Sequence, residues 1–177
     1  KLLEEQTGLN AGVASIEEYN NAIKGLETMQ NATIQQIMSG SVPQYVYAVK
    51  DNNFYVNLFM GNTAKVKVGG KSVEFQQETN YPWNGDITMT MKKANSKFAL
   101  NIRIPGWVKG QVVPSNLYSY ADAKHLGYSV KVNGEEVKSE LKDGYFVIDR
   151  KWKKGDKVEV HFDMEPRIVK ANGLVAA

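Results

Sequence analysis

Two hydrophobic periods divide this chain. Up to about residue 41, apolar side chains recur at three- and four-residue spacing: Ile16, Tyr19, Ile23, Leu26, Ile34 and Ile37, with Gln30 interrupting the stripe. That is the period of an amphipathic helix. Ser15 is a good N-cap, Glu18 completes a capping box, and Gly40 suits a C-terminal cap. The pattern predicts a helix over 15–39, about 37 Å long at 1.5 Å per residue, with Gly25 or Asn31 as points where it could break. Residues 1–10 read as a short preceding helix ended at Gly8. The apolar stripe reads first as core packing, and second as a face for a partner.

From Val42 onward the period is two. Val158, Val160, Phe162 and Met164 alternate with Lys157, Glu159, His161 and Asp163. Phe98, Leu100, Ile102 and Ile104 repeat the pattern, as do Ile87, Met89 and Met91. Alternation of this kind puts one face of a strand into a core. Further strands are predicted at 45–50, 54–60, 64–68, 72–78, 128–132 and 144–150. Between them stand Gly69-Gly70, Asn84-Gly85, Asn133-Gly134, Asp143-Gly144 and Gly155-Asp156, pairs that tolerate the positive φ of tight turns. The longest interruption is the loop 109–127. The expected fold is mainly β: an antiparallel β-sandwich of jelly-roll type over 42–177, preceded by an N-terminal helical segment over 1–41.

Composition narrows the function classes. The 177 residues are 42% hydrophobic and 23% charged, which suits a domain with a buried core. No apolar run approaches the roughly 20 residues that span a bilayer, and Lys1-Leu2-Leu3 runs straight into Glu4-Glu5 without a signal-peptide pattern. The net charge of +3 is unevenly placed. Residues 1–41 hold Lys1 and Lys24 against Glu4, Glu5, Glu17, Glu18 and Glu27; the remainder holds 20 basic and 14 acidic residues. The surplus is scattered lysine without a nucleic-acid-binding motif, so no nucleic-acid partner is expected. With no cysteine in the chain, disulfides, thiolate nucleophiles and cysteine-ligated metals are excluded.

Catalytic constellations are thin. Glu135 and Glu136 are adjacent beside a turn and point to opposite faces of a strand, unlike a hydrolytic pair converging roughly 5–10 Å apart. Asp86, Asp149 and Glu165 sit at strand ends. His161 faces away from the apolar side of its strand, and His125 has no partner at metal-ligand spacing. Nucleophile elbows, phosphate loops and dinucleotide fingerprints are missing. The expectation is no catalytic residue, no metal and no cofactor.

The aromatic residues carry more. Tyr81, Trp83, Trp107, Tyr118, Tyr120 and Trp152 are assigned to strand ends or loops. Trp83 before Asn84-Gly85 and Trp107 after Pro105-Gly106 read first as plugs closing the ends of the sandwich. The second reading makes Trp83, Trp107, Tyr118 and Tyr120 carbohydrate contacts, stacking on sugar rings. Arg103 faces away from its strand's core side and is expected to pair with Asp86 or Asp149. Together with Tyr81 it would hold a structural corner.

Several of these segments resemble a known family. Tyr45-Val46-Tyr47-Ala48, Tyr55-Val56-Asn57-Leu58-Phe59, Gln77 through Gly85 and Ile102 through Trp107 are similar to the post-barrel β-sandwich of the β-L-arabinofuranosidases of glycoside hydrolase family 127. So are Val132-Asn133-Gly134, Gly144-Tyr145, Arg150-Lys151-Trp152, Gly155-Asp156 and Met164-Glu165-Pro166-Arg167. The likeness runs over about 42–172. It implies that the chemistry belongs to an α/α barrel with a cysteine nucleophile in a zinc site, residues this chain does not have. The resemblance therefore implies a non-catalytic accessory domain, with the catalytic barrel of a parent enzyme as its partner and plant-derived arabinosyl glycans as possible ligands. It also implies a periplasmic or extracellular setting. The alternatives are an autonomous carbohydrate-binding module, and a scaffold or interaction protein using the N-terminal helix.

Overall fold

The computed structural model describes residues 43–175, so the helices expected over 15–39 and 1–10 lie outside the described residues. A helix of one turn, α1 (Pro43–Val46), leads into the strands. The first sheet contains β1 (Tyr47–Lys50), β2 (Asn53–Val56), β6 (Asn95–Arg103), β10 (Leu141–Lys142) and β11 (Tyr145–Lys153), in the order β1-β2-β6-β11-β10. The second contains β3 (Asn62–Val68), β4 (Lys71–Thr79), β5 (Asp86–Lys93), β8 (Tyr128–Val132), β9 (Glu135–Glu136) and β12 (Lys157–Phe162), in the order β3-β4-β5-β12-β8-β9. Strands β7 (Tyr118–Tyr120) and β13 (Val169–Ala171) form a small separate ribbon. The fold is a mainly-β sandwich.

The period-two pattern explains which side chains meet. Phe98, Leu100 and Ile102 of β6 and Phe146, Ile148 and Trp152 of β11 are buried. Opposite them lie Val73 and Phe75 of β4, Ile87, Met89 and Met91 of β5, and Val158, Val160 and Phe162 of β12. The two faces meet through Phe54, which stands edge-on to Phe75 at 5.1 Å, while within the first sheet Phe98 tilts over Trp152 at 5.8 Å. Trp152 is fully buried inside β11, where its indole N–H donates to the Phe98 carbonyl at 3.0 Å. Its expected place at a strand end is thereby corrected: β11 runs three residues beyond the predicted 150 and carries Trp152 into the core.

Most strand pairs are antiparallel, but β2 lies parallel to β6, with Asn53 opposite Ala99. Parallel neighbours need a crossover, and here β3, β4 and β5 fill it while building the other sheet. The predicted strand 54–60 is shorter than expected, ending at Val56, and the predicted loop 109–127 contains β7. Strand β3 sits at the edge of its sheet, with Lys65 and Lys67 alternating outward.

Turn chemistry matches at four of five sites. Gly69, Gly70, Asn133, Gly134, Asp143, Gly144 and Gly155 all have positive φ. Gly85 does not. It is needed for space: a β-carbon there would stand 1.9 Å from the Phe162 carbonyl oxygen. The Gly85 carbonyl accepts the Phe162 N–H at 3.0 Å, locking the start of β5 against the end of β12.

Among the described residues the buried polar side chains are Gln77 and Asn101, and Gln77 is tied to the half-buried Tyr47. Gln77 donates from Nε2 to the Met60 and Leu58 carbonyls at 3.0 and 3.3 Å and to the Tyr47 hydroxyl at 3.3 Å. Tyr47 in turn donates to Asn62 Oδ1 at 2.8 Å. Burial pushes the Tyr47 phenol up to about 12, while its bonds with Asn62 and Gln77 pull the other way.

Two outcomes are expected. Gly85→Ala forces the backbone apart and costs about 3 kcal/mol, the upper end for overpacking, as measured by urea unfolding. A phenol whose folded pKa is raised stabilises the fold fully below the ordinary tyrosine range. Stability then falls as pH rises from about 10 toward about 12, because the unfolded chain loses the proton first. Tyr47→Phe should flatten that alkaline limb in a series of unfolding curves; an unchanged slope would refute the assignment.

Candidate functional site

At one end of the sandwich four segments converge. The β4–β5 connection brings Tyr81 and Trp83, and the turn after β6 brings Trp107. The β2–β3 connection supplies Phe59 and the end of β12 supplies Phe162. Thr79 anchors the first of these, its hydroxyl donating to the Asp86 carbonyl at 2.6 Å and accepting from Tyr81 N–H at 2.9 Å. The Tyr81–Pro82 peptide is cis, in a turn closed by Trp83 N–H to Asn80 carbonyl at 2.8 Å. Trp107 belongs to a 3₁₀ turn, Gly106–Lys109, ended by Gly110 at φ 79°. Phe59 packs against Tyr81 at 5.6 Å and Phe162 at 5.4 Å, and Trp107 stands edge-on to Phe162 at 5.9 Å. The Trp107 indole N–H reaches the Tyr81 hydroxyl at 3.4 Å.

Trp107 is therefore half-buried and closes the corner. Trp83 is not a plug: it is 91% exposed. The turn at Asn80–Trp83 points its indole outward, over a shallow depression of about 550 Å³ that Trp83, Tyr81, Trp107, Tyr120, Glu165 and Arg167 help to line. Three of the four carbohydrate-contact candidates thus come together. Tyr118, on β7, does not line that depression. Beneath it the Arg167 guanidinium lies 3.5 Å over the Tyr120 ring, and its Nη2 pairs with Asp122. This bond holds the Asp122 carboxyl below the usual carboxylate range. Lys124 pairs with Glu165 at 2.6 Å, so the charges around this depression are matched.

A second depression, of about 650 Å³, lies on the other side of Trp107, between the β6 corner and the β10–β11 turn. Asn57 and Tyr145 meet at its wall, the tyrosine hydroxyl donating to Asn57 Oδ1 at 2.8 Å. Arg103 lines it too, and its expected pairing is not found. Asp86 is bonded instead to His161 Nδ1 at 2.6 Å, and Asp149 to Lys97 at 3.4 Å. The cause is register: Arg103 stands opposite Tyr145, while Asp149 stands opposite Ala99, four positions down the ladder. Asp86 belongs to the other sheet.

A model of the β-L-arabinofuranosidase GH127 middle domain matches residues 53–164. The chain belongs to this family. Among relatives of the GH127 middle domain, a non-reducing end β-L-arabinofuranosidase of Bifidobacterium longum subsp. longum is 29% identical over 145 residues, 76% of this chain and 18% of its own. A solved GH127 β-arabinofuranosidase is 57% identical with a TM-score of 0.73, covering 75% of this chain and 21% of its own. The crystal structure of a GH127 β-L-arabinofuranosidase of Geobacillus stearothermophilus T6 is 33% identical with a TM-score of 0.62, over 77% and 19%. The GH127 middle domain in hand spans about a fifth of the length of these proteins.

One constellation in this middle domain escaped the reading of the sequence. Ser129, His161 and Asp86 stand in register across β8, β12 and β5. Yet His161 Nδ1 bonds Asp86, and Nε2 faces Asp163 at 3.4 Å, so carboxylates occupy both ring nitrogens. That leaves neither nitrogen to take a proton from Ser129. The alternation of β12 placed His161 outside; its partners come from strands whose register the sequence does not print. Among the described residues no group of three or more His, Asp or Glu is set to hold a metal ion.

The two tryptophans of the corner should separate in a stability measurement. Trp107→Ala removes ring contacts and an indole hydrogen bond, costing about 2–3 kcal/mol, less than a fully buried tryptophan. Trp83→Ala should stay within about 0.5 kcal/mol of the parent chain. Equal losses for the two would contradict the exposed position of Trp83.

Proposed function

We propose that this chain is a non-catalytic accessory β-sandwich of an arabinofuranosidase-like glycoside hydrolase, serving as structural support for a catalytic barrel. The carrying observation is the match of 53–164 to the middle domain of β-L-arabinofuranosidases, with a relative of that activity about five times as long as this chain. The chemistry of the residues agrees with that reading. The chain has no cysteine; Asp149, which lies inside β11 rather than at a strand end, and Glu165 and Asp86 are engaged by Lys97, Lys124 and His161, and among the described residues no nucleophile stands beside an available base. The exposed indole of Trp83 supports a surface made to be covered, since an isolated tryptophan in water leaves its large apolar area unused.

A second reading has its own support. Trp83, Trp107 and Tyr120 around one depression are a workable platform for a sugar ring, which favours a carbohydrate-binding role for arabinosyl glycans. Both readings are tested on the purified chain. No turnover of a chromogenic β-L-arabinofuranoside and no stoichiometric zinc are expected, and hydrolysis above the buffer rate would defeat the accessory reading. Calorimetry with neutral arabino-oligosaccharides addresses the second: binding lost in Trp83→Ala, with circular dichroism unchanged, would favour it over simple support.

A further inference from the structure

We infer that the 650 Å³ depression beside Trp107 is a binding site for an acidic saccharide, a uronic-acid-bearing oligosaccharide, with Arg103 and Lys109 as its carboxylate-binding pair. The inference goes beyond structural support and does not require a barrel.

Charge is the first observation. The groups with full charges around this depression are Arg103, Lys109 and Asp143, a surplus of one positive charge; its other titratable groups are the phenols Tyr81 and Tyr145. Among the described residues the ion pairs are Lys65–Glu74, Lys97–Asp149, Lys124–Glu165, Lys157–Glu159, His161 with Asp86 and Asp163, and Arg167–Asp122. Neither Arg103 nor Lys109 takes part. The neighbouring depression differs, because both charged groups that line it are paired, Arg167 with Asp122 and Glu165 with Lys124. An unmatched pair of cations beside a concave wall focuses field on an anion, and arginine suits a planar carboxylate through two parallel N–H bonds.

Placement is the second observation. Arg103 ends β6 directly opposite Tyr145. The 3₁₀ turn then carries Lys109 back over the β10–β11 turn, where its ammonium lies 3.9 Å from the point a β-carbon on Gly144 would occupy. Both cations thus line one hollow, whose β6 corner is tied to the β10–β11 turn by Ile104 N–H to the Gly144 carbonyl at 2.9 Å.

The third observation is the rest of the wall. Tyr81 and Trp107 give it an aromatic side, and Asn57, Gln111 and Tyr145 give it amide and hydroxyl groups. A bare carboxylate or a phosphate would use the cations and leave the rings idle. A uronic acid offers both halves: an apolar C–H face for the rings, hydroxyls for the amides, and a carboxylate for the guanidinium. The volume falls in the range of about 300–1,000 Å³ typical of small-ligand sites.

The test is titration calorimetry on the full 177-residue chain. The probes are a galacturonic acid trisaccharide, its fully methyl-esterified form and a glutamate hexapeptide. The acidic trisaccharide is expected to bind. Methyl esterification should weaken it by about tenfold or more, the worth of one charge-assisted contact. Raising salt from roughly 50 to 300 mM should weaken it severalfold. The double variant Arg103→Gln/Lys109→Gln, at exposed positions where folding is unaffected, should lose about tenfold or more, with an unchanged circular dichroism spectrum. Trp83→Ala should bind as the parent does. No binding at millimolar concentration, undiminished binding by the double variant, loss in Trp83→Ala, or equal binding of the peptide would each overturn the assignment. None of those results would bear on whether the chain supports a barrel, which the turnover assay addresses separately.

Discussion

The end of β12 is the constraint on which the aromatic end of this domain depends. Phe162 is fully buried, and its backbone touches that of Gly85 so closely that no side chain fits between them. Its ring receives Phe59 on one side and Trp107 on another. Three connections from different parts of the chain are thereby pinned to a single residue. Because Trp107 is held, Tyr81 is held through its hydroxyl and through Phe59. The two depressions then lie on either side of one immobilised indole. Rigid apolar packing, with few polar contacts, sets the geometry of the exposed side chains around it.

The two hollows differ in a way that follows from cross-strand register and loop length. Around the first, loop residues are long enough to curl carboxylates onto Arg167 and Lys124, and the electrostatics close on themselves. Around the second, Arg103 stands at a strand end whose ladder neighbour is a tyrosine. Its charge is left facing solvent and the hollow. An exposed indole suits a dry contact, whereas an unmatched guanidinium suits a hydrated, charged ligand.

Much of the sandwich was legible because burial and period are the same fact in a strand. Phe98, Leu100 and Ile102, or Val158, Val160 and Phe162, announce an inner face without knowledge of the neighbours, and the outward His161 follows from the same alternation. Loop residues carry no period. Trp83 and Trp107 look alike in sequence, each beside a glycine turn, yet one is exposed and the other half-buried. What separates them is the direction of two backbone turns. Gly85 reads as a positive-φ residue because Asn-Gly pairs so often are; here the glycine answers to a neighbouring strand that is distant in the chain. The pairing of β2 with β6, and the partners of Arg103 and Asp86, are likewise long-range register, which local pattern does not encode. Family resemblance reached further than periodicity for the same reason: it carries register with it.

The outermost strand of the larger sheet has a consequence for the company this protein keeps with itself. Strand β3 runs for seven residues at a sheet edge, long enough to template another strand on its row of backbone donors and acceptors. Its outward positions include Lys65 and Lys67. A second copy approaching edge to edge would bring the same lysines into register or near it, with little room for counterions between them. Those two ammonium groups guard the edge against growing by addition of its own strands.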